Sequence, residues 1–196
     1  MKDIFTIKDR EILEEVYKEE FGTLGLCKDS VPYSVPINFV YLNGYFYFHG
    51  RKGGKKHQHM KENPKTSFSI VQPFSVIPSY FRGDGSDGCA ASHFFRSVMV
   101  FGDMEFVDSV DEKVEALNGL MDKYQPEGRY EVFTNSDCSK VFEATEVFKI
   151  VPNEITGKGK FGQHLADEVK ANIIKSLQKR EEPIDLLTIK EIERYM

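Results

Sequence analysis

The segment best equipped for chemistry is Arg51-Lys52-Gly53-Gly54-Lys55-Lys56-His57-Gln58-His59-Met60-Lys61, which holds five of the chain's 26 basic residues and none of its 31 acidic ones. Gly53 and Gly54 let the backbone approach an anion, a helix opening there aims its first free N–H groups at it, and Lys55 and Lys56 add charge. That is the chemistry of a phosphate site. A solvated, charged helix face would carry the same lysines, and these residues alone leave the two readings evenly matched.

Other constellations are weaker. His57 and His59 stand two apart, and on a helix such residues point ~200° away from each other, so the pair cannot share one metal ion. Asp84-Gly85-Ser86-Asp87-Gly88 opens like a calcium loop, but its twelfth position, where an acidic ligand belongs, is Phe95. No metal site is expected. Gly157-Lys158-Gly159-Lys160-Phe161-Gly162 is a literal G-x-G-x-x-G, yet the stretch ~20 positions on, where a second parallel strand should end in an acid, reads Glu181-Glu182-Pro183. It is expected to be a flexible strand exit. Cys27 reads as a small core residue, Cys89 as an exposed loop residue and Cys138 as an ordinary thiol.

The elements that must position these residues follow from periodicity. Ile12, Leu13, Val16 and Tyr17 mark a helix over residues 7–20, with Thr6 and Asp9 at its start. Strands are predicted over 23–27, 32–41 and 45–49, the last two joined by Asn43-Gly44, and these three should form an antiparallel meander. A short helix closes at Asn63-Pro64, a strand covers 66–71, and residues 72–92 read as irregular. Strands over 95–107 and 145–155 and helices over 111–124, 164–179 and 188–195 complete the chain. Many antiparallel aromatic strands with single, late helices give an α+β, mainly β fold, a small barrel rather than a doubly wound sheet.

Composition bounds the function. The 196 residues include 16 Phe and 9 Tyr, enough for a filled core and too aromatic for a disordered chain. Net charge is −5, and without the basic segment the remainder stands at −10. One local basic patch on an acidic protein suits a small anion, not nucleic acid. No run approaches the ~18 apolar residues of a membrane span, the first residues lack a secretory apolar stretch, and three cysteines without metal spacing fit a reduced compartment, so a cytoplasmic protein is expected.

Pro36-Ile37-Asn38-Phe39, Tyr45-Phe46-Tyr47-Phe48-His49-Gly50, Gly54-Lys55-Lys56, Asn63-Pro64, Phe95-Arg96-Ser97-Val98-Met99-Val100-Phe101-Gly102 and Ile155-Thr156-Gly157-Lys158 together resemble the pyridoxamine 5′-phosphate oxidase-like flavoproteins, in the branch containing nitroimidazole-resistance (Nim) proteins. The likeness runs from about residue 5 to Lys158. It implies an FMN-binding split β-barrel, antiparallel and Greek-key-like with peripheral helices, over residues 1–162, with 163–196 as a helical extension packed on the same domain. It also implies a homodimer with flavin at the interface.

Carried over residue by residue, the resemblance places the flavin phosphate on Gly54, Lys55 and Lys56 and the isoalloxazine edge along Val35, Pro36, Ile37 and Asn38. Phe48, His49 and Gly50 face the pocket, with His49 as polar contact or proton donor. Ser97 and Val98 lie near the cofactor, and Arg96 is a second candidate phosphate partner, although it could instead pair with a nearby acid such as Asp103 or Glu105. The function implied is an oxidoreductase passing electrons from reduced FMN, with FAD as the alternative flavin, to a small acceptor such as a nitro-aromatic or a pyridoxamine-phosphate-like substrate. A flavin carrier or sensor without turnover and a haem-binding split barrel are the rival readings.

Overall fold

The computed structural model describes residues 3–83, 87–135 and 145–196. The acidic loop at Asp84–Ser86 and Cys138 lie outside the described residues. The strands are β1 (Thr6–Ile7), β2 (Phe21–Lys28), β3 (Val31–Asn38), β4 (Val40–Leu42), β5 (Tyr45–Arg51), β6 (Lys65–Ile77), β7 (Ser92–Phe106) and β8 (Thr145–Lys160). The helices are α1 (Arg10–Val16), α2 (Lys55–Glu62), α3 (Val110–Tyr124), α4 (Asp167–Arg180) and α5 (Asp185–Glu193). Strand neighbours run β3-β2-β6-β7-β8-β5-β4, and β1 adds to β8 through Thr6↔Lys158 and Ile7↔Gly157. The fold is the α+β split barrel that the sequence led us to expect.

Chain contacts divide it into two compact units. The first comprises Tyr17–Ile70 with Met99–Ile155, the second Met1–Val16 with Val71–Val98 and Thr156–Met196. In the first unit, β3 and β4 stand at opposite ends of the strand order although Phe39 alone separates them. A flat sheet would hold those strands roughly 29 Å apart at ~4.8 Å per step, whereas one residue spans only ~3.5 Å. The sheet must therefore curl until the end of β3 reaches the start of β4, without the two edges pairing. Phe39, Phe46, Phe48, Phe68, Phe148 and Ile150 are fully buried in this unit. Outside them, Ala116, Leu117 and Leu120 of α3 pack on Val40, Tyr47, Val107 and Val147.

The meander expected from the sequence is corrected by this order. β2 and β3 form one hairpin, Phe21↔Asn38 to Lys28↔Val31, and β4 and β5 form another, Val40↔Tyr47 to Leu42↔Tyr45. Asn43 (φ 52°) and Gly44 (φ 92°) make the latter turn as the Asn-Gly pair requires. What separates the hairpins is Phe39. Its N–H donates to the Tyr124 hydroxyl at 3.0 Å and its carbonyl accepts from Lys123 at 2.9 Å, so α3 side chains replace a strand partner.

In the second unit Phe74, Ile77, Phe81, Phe94 and Phe161 pack with Ile173, Leu177, Ile189 and Ile192 of the two C-terminal helices. Residues 72–77 are strand rather than irregular: Pro73 lies beyond the last β2 pair, Gly22↔Ile70, where a missing N–H costs that ladder nothing. Gly157–Lys160 is likewise strand and not a flexible exit. A Cβ on Gly157 would stand 2.4 Å from Leu13 Cδ2 and 2.9 Å from Ile7 Cβ, so the glycine serves close packing. The first helix is shorter than expected because Asp9 caps it late, its carboxylate accepting from the Glu11 N–H at 2.9 Å.

Candidate functional site

Ten of the nominated residues fall in the first unit, nine on β3, β5 and α2 and the tenth, Gly54, at the cap of α2. β3 ends the strand order, so one side of its backbone is open. Pro32 and Pro36 share one parity along it, the pattern of an edge strand whose prolines turn their missing N–H outward. Ile37 is buried, Val35 is half-buried, and Pro36 and Asn38 are exposed, with the Asn38 amide donating to the Glu20 carbonyl at 3.3 Å.

On β5, Phe48 is fully buried and stacks on Phe148 with ring centroids 5.2 Å apart, so its side chain belongs to the core. His49 faces the opposite way and is exposed. Its imidazole is held below the ordinary histidine pKa of 6.5, first by partial desolvation and then by the charge of Lys56. Gly50 makes that approach feasible: a Cβ there would sit 3.1 Å from Lys56 Cε and 3.4 Å from its Nζ.

Helix α2 begins at Gly54, which caps it without any side-chain hydrogen bond, and its first turn contains no acidic residue. The first intrahelical bond runs from the Gln58 N–H to the Gly54 carbonyl at 3.1 Å. Backbone N–H groups of the first turn therefore lack an intrahelical acceptor and point out of a positive dipole end. Lys55 and Lys56, ~100° apart around the helix, splay to the two strands. The Lys55 ammonium lies 4.3 Å above the Tyr33 ring of β3, and Lys56 lies over Gly50 of β5. His57, His59 and Met60 are the buried residues of the helix. His59 sits 5.0 Å from the Tyr33 ring and His57 4.8 Å from the Phe106 ring, so the two histidines diverge as their spacing requires. Among the described residues no cluster of His, Cys, Asp or Glu could hold a metal ion.

Tyr33 and Glu146 are site neighbours that sequence reasoning missed. Tyr33 alternates with Val35 and Ile37, a period-2 pattern that was readable. Glu146 could not be found, because it reaches the site through its register with Gly50. Its buried carboxylate lies 3.9 Å from His57 Nδ1, a buried nitrogen without a hydrogen bond, and 3.9 Å from Lys113.

Arg96, Ser97 and Val98 belong to the second unit. Arg96 is 6% exposed, ion-paired with Glu191 of α5 and 3.3 Å from the Gln72 side-chain oxygen, while Val98 is fully buried on the same strand face. Ser97 turns to the opposite face, half-buried, beside Phe95 with Lys158 5.5 Å above its ring. Cys27 is partly buried and Cys89 exposed. No described helix is long and apolar enough to cross a membrane.

A family model described as pyridoxamine 5′-phosphate oxidase matches residues 8–159. The chain belongs to that family. Solved structures with the same fold include a candidate 5-nitroimidazole antibiotic resistance protein from Bacteroides thetaiotaomicron (22% identity, 78% of this chain and 85% of that one covered, TM-score 0.64). Another is the flavocytochrome Anf3 from Azotobacter vinelandii (19%, 80% and 69%, TM-score 0.66). A third is an FAD- and haem-binding protein from Mycobacterium smegmatis (20%, 85% and 78%, TM-score 0.65). A comparison with curated proteins found no match. Helices α4 and α5 lie beyond the residues that the family model matches.

Proposed function

We propose that this family member binds FMN, with the phosphate at the N-terminus of α2 and the ring system along β3, and passes electrons from the reduced flavin to a small acceptor. The observation that carries the reading is the uncapped first turn of α2, free of acids and flanked by Lys55 over Tyr33 and Lys56 over Gly50. Those residues suit a phosphate: the first-turn N–H groups face no capping side chain and no acid of their own turn, and an ammonium group stands on either side of them. Arg96, already neutralised by Glu191, is not needed for that role.

Bound flavin would supply the two-electron transfer. The protein's part is to bind and to manage protons. Lys56 offsets phosphate charge, and the open edge of β3 offers backbone groups to the polar side of the ring. His49 serves as a polar contact for the acceptor and, when protonated against the opposing pull of desolvation and Lys56, as its proton donor. A nitro-aromatic is the acceptor class we favour, because nitro reduction consumes electrons and protons together. Two copies of the chain would complete the site, covering exposed apolar residues such as Phe21, Val31 and Phe101. Sedimentation at micromolar concentration should then give a dimer, and a monomer would remove the shared-site element.

The visible spectrum of the purified protein tests the central reading. Flavin bands that bleach anaerobically with NAD(P)H and return on adding a nitro-aromatic are expected. A protein that takes up no FMN overturns the reading, and bound flavin that never turns over favours a carrier.

A further inference from the structure

Three backbone carbonyls converge on one ammonium at the end of α3. Lys123 Nζ donates to Tyr17 at 3.0 Å, Glu19 at 2.7 Å and Phe39 at 2.9 Å, which uses all three of its protons. The same nitrogen lies 3.7 Å from the centroid of the Phe39 ring. The next residue, Tyr124, accepts the Phe39 N–H at 3.0 Å and donates to the Glu20 carbonyl. Glu20 also receives the Asn38 amide. Two consecutive side chains thus satisfy both backbone groups of Phe39 and tie that residue to the chain entering β2.

Phe39 is where the strand path must break. On one side lies the β2–β3 hairpin, on the other the β4–β5 hairpin, and the nominated residues of this unit belong to one of them or to α2 and its cap. Phe39 is fully buried, and leaving its N–H and C=O unpaired would forfeit their hydrogen bonds to water without replacement, so the break needs partners from outside the strands. Lys123 and Tyr124 are those partners. Burial is what lets the interaction act at close range: desolvation brings the ammonium's pKa down to about 8 against the opposing pull of Glu19 and Glu20.

We infer that Lys123, with Tyr124, is a positioning residue for the flavin site, fixing the break at Phe39 and hence the path of Val35–Asn38. The inference rests on the FMN reading above. It locates a determinant of cofactor geometry on a helix that itself carries none of the nominated site residues.

Lys123→Met and Tyr124→Phe test it, with FMN titration, the visible spectrum of the bound flavin and its reduction potential as readouts. Both variants should weaken FMN binding about tenfold or more, displace the flavin bands and shift the potential, because the backbone along the ring edge moves. A role confined to fold stability would lower the unfolding midpoint and leave spectrum and potential of the bound flavin as in the parent. Should Lys123→Met fail to fold, Tyr124→Phe, which removes a single oxygen, decides. Parental affinity, spectrum and potential in a folded variant overturn the inference. If the parent protein itself takes up no FMN, the FMN reading falls and this inference with it, an outcome visible before any variant is made.

Discussion

The ammonium of Lys56 lies over Gly50, and its charge acts on the imidazole of His49, the residue before that glycine. The lysine that flanks the first turn of α2 thereby adds its charge to the desolvation that lowers the pKa of His49. Desolvation and Lys56 both disfavour imidazolium, so His49 is neutral at lower pH than a free histidine.

Removing the lysine charge should reverse part of that shift. In the parent, the His49 ring protons should titrate by NMR with a midpoint below 6.5. In Lys56→Ala the midpoint should rise. The associated stability follows the sign of linkage: the unfolded chain binds the proton more readily, so this group's contribution falls as pH drops below 6.5 toward the folded value. An unchanged midpoint would mean that the two side chains do not communicate.

His49 itself should matter to turnover more than to binding. His49→Ala should retain FMN, since phosphate and ring are held elsewhere. Steady-state reduction of a nitro-aromatic should fall by roughly 10²–10⁴ if His49 delivers the proton. Loss of flavin would make His49 part of the binding site, and unchanged turnover would leave the proton to solvent.

Arg96 and Glu191 should behave as a buried ion pair of the second unit. Each side chain is 8% exposed, and Arg96 also lies 5.4 Å from the Phe74 ring centroid. Glu191→Gln leaves a buried guanidinium uncompensated and should cost about 3–5 kcal/mol in chemical denaturation. Arg96→Met with Glu191→Leu should recover most of that loss. Equal stability of Glu191→Gln and parent would instead mark Arg96 as free to meet an anion.

Local chemistry was legible in the sequence where neighbours decide it. Asn43-Gly44 made its hairpin, Gly54-Lys55-Lys56 opened a helix, and Asn63-Pro64 closed it. The path of β3 and β4 was not, because periodicity continues through Phe39 and the break is enforced by Lys123 and Tyr124, 84 and 85 residues away. Pro73 misled for a related reason: its strand outruns the ladder that a proline would interrupt. The pairing of Arg96 was foreseen only as pairing with a nearby acid. Its actual partner arrives from the C-terminal helix α5.

The most direct measurement compares FMN with riboflavin, which has the same ring system without the phosphate, by isothermal titration of the apoprotein. With the phosphate held at the N-terminus of α2 by a charged contact of about 1.5–3 kcal/mol, FMN should bind roughly ten- to a hundredfold more tightly than riboflavin. Lys56→Ala should erase most of that difference, while Lys61→Ala, exposed near the helix's other end, should preserve it. Equal affinity for the two flavins, or equal effects of the two substitutions, would contradict a phosphate site at Gly54-Lys55-Lys56.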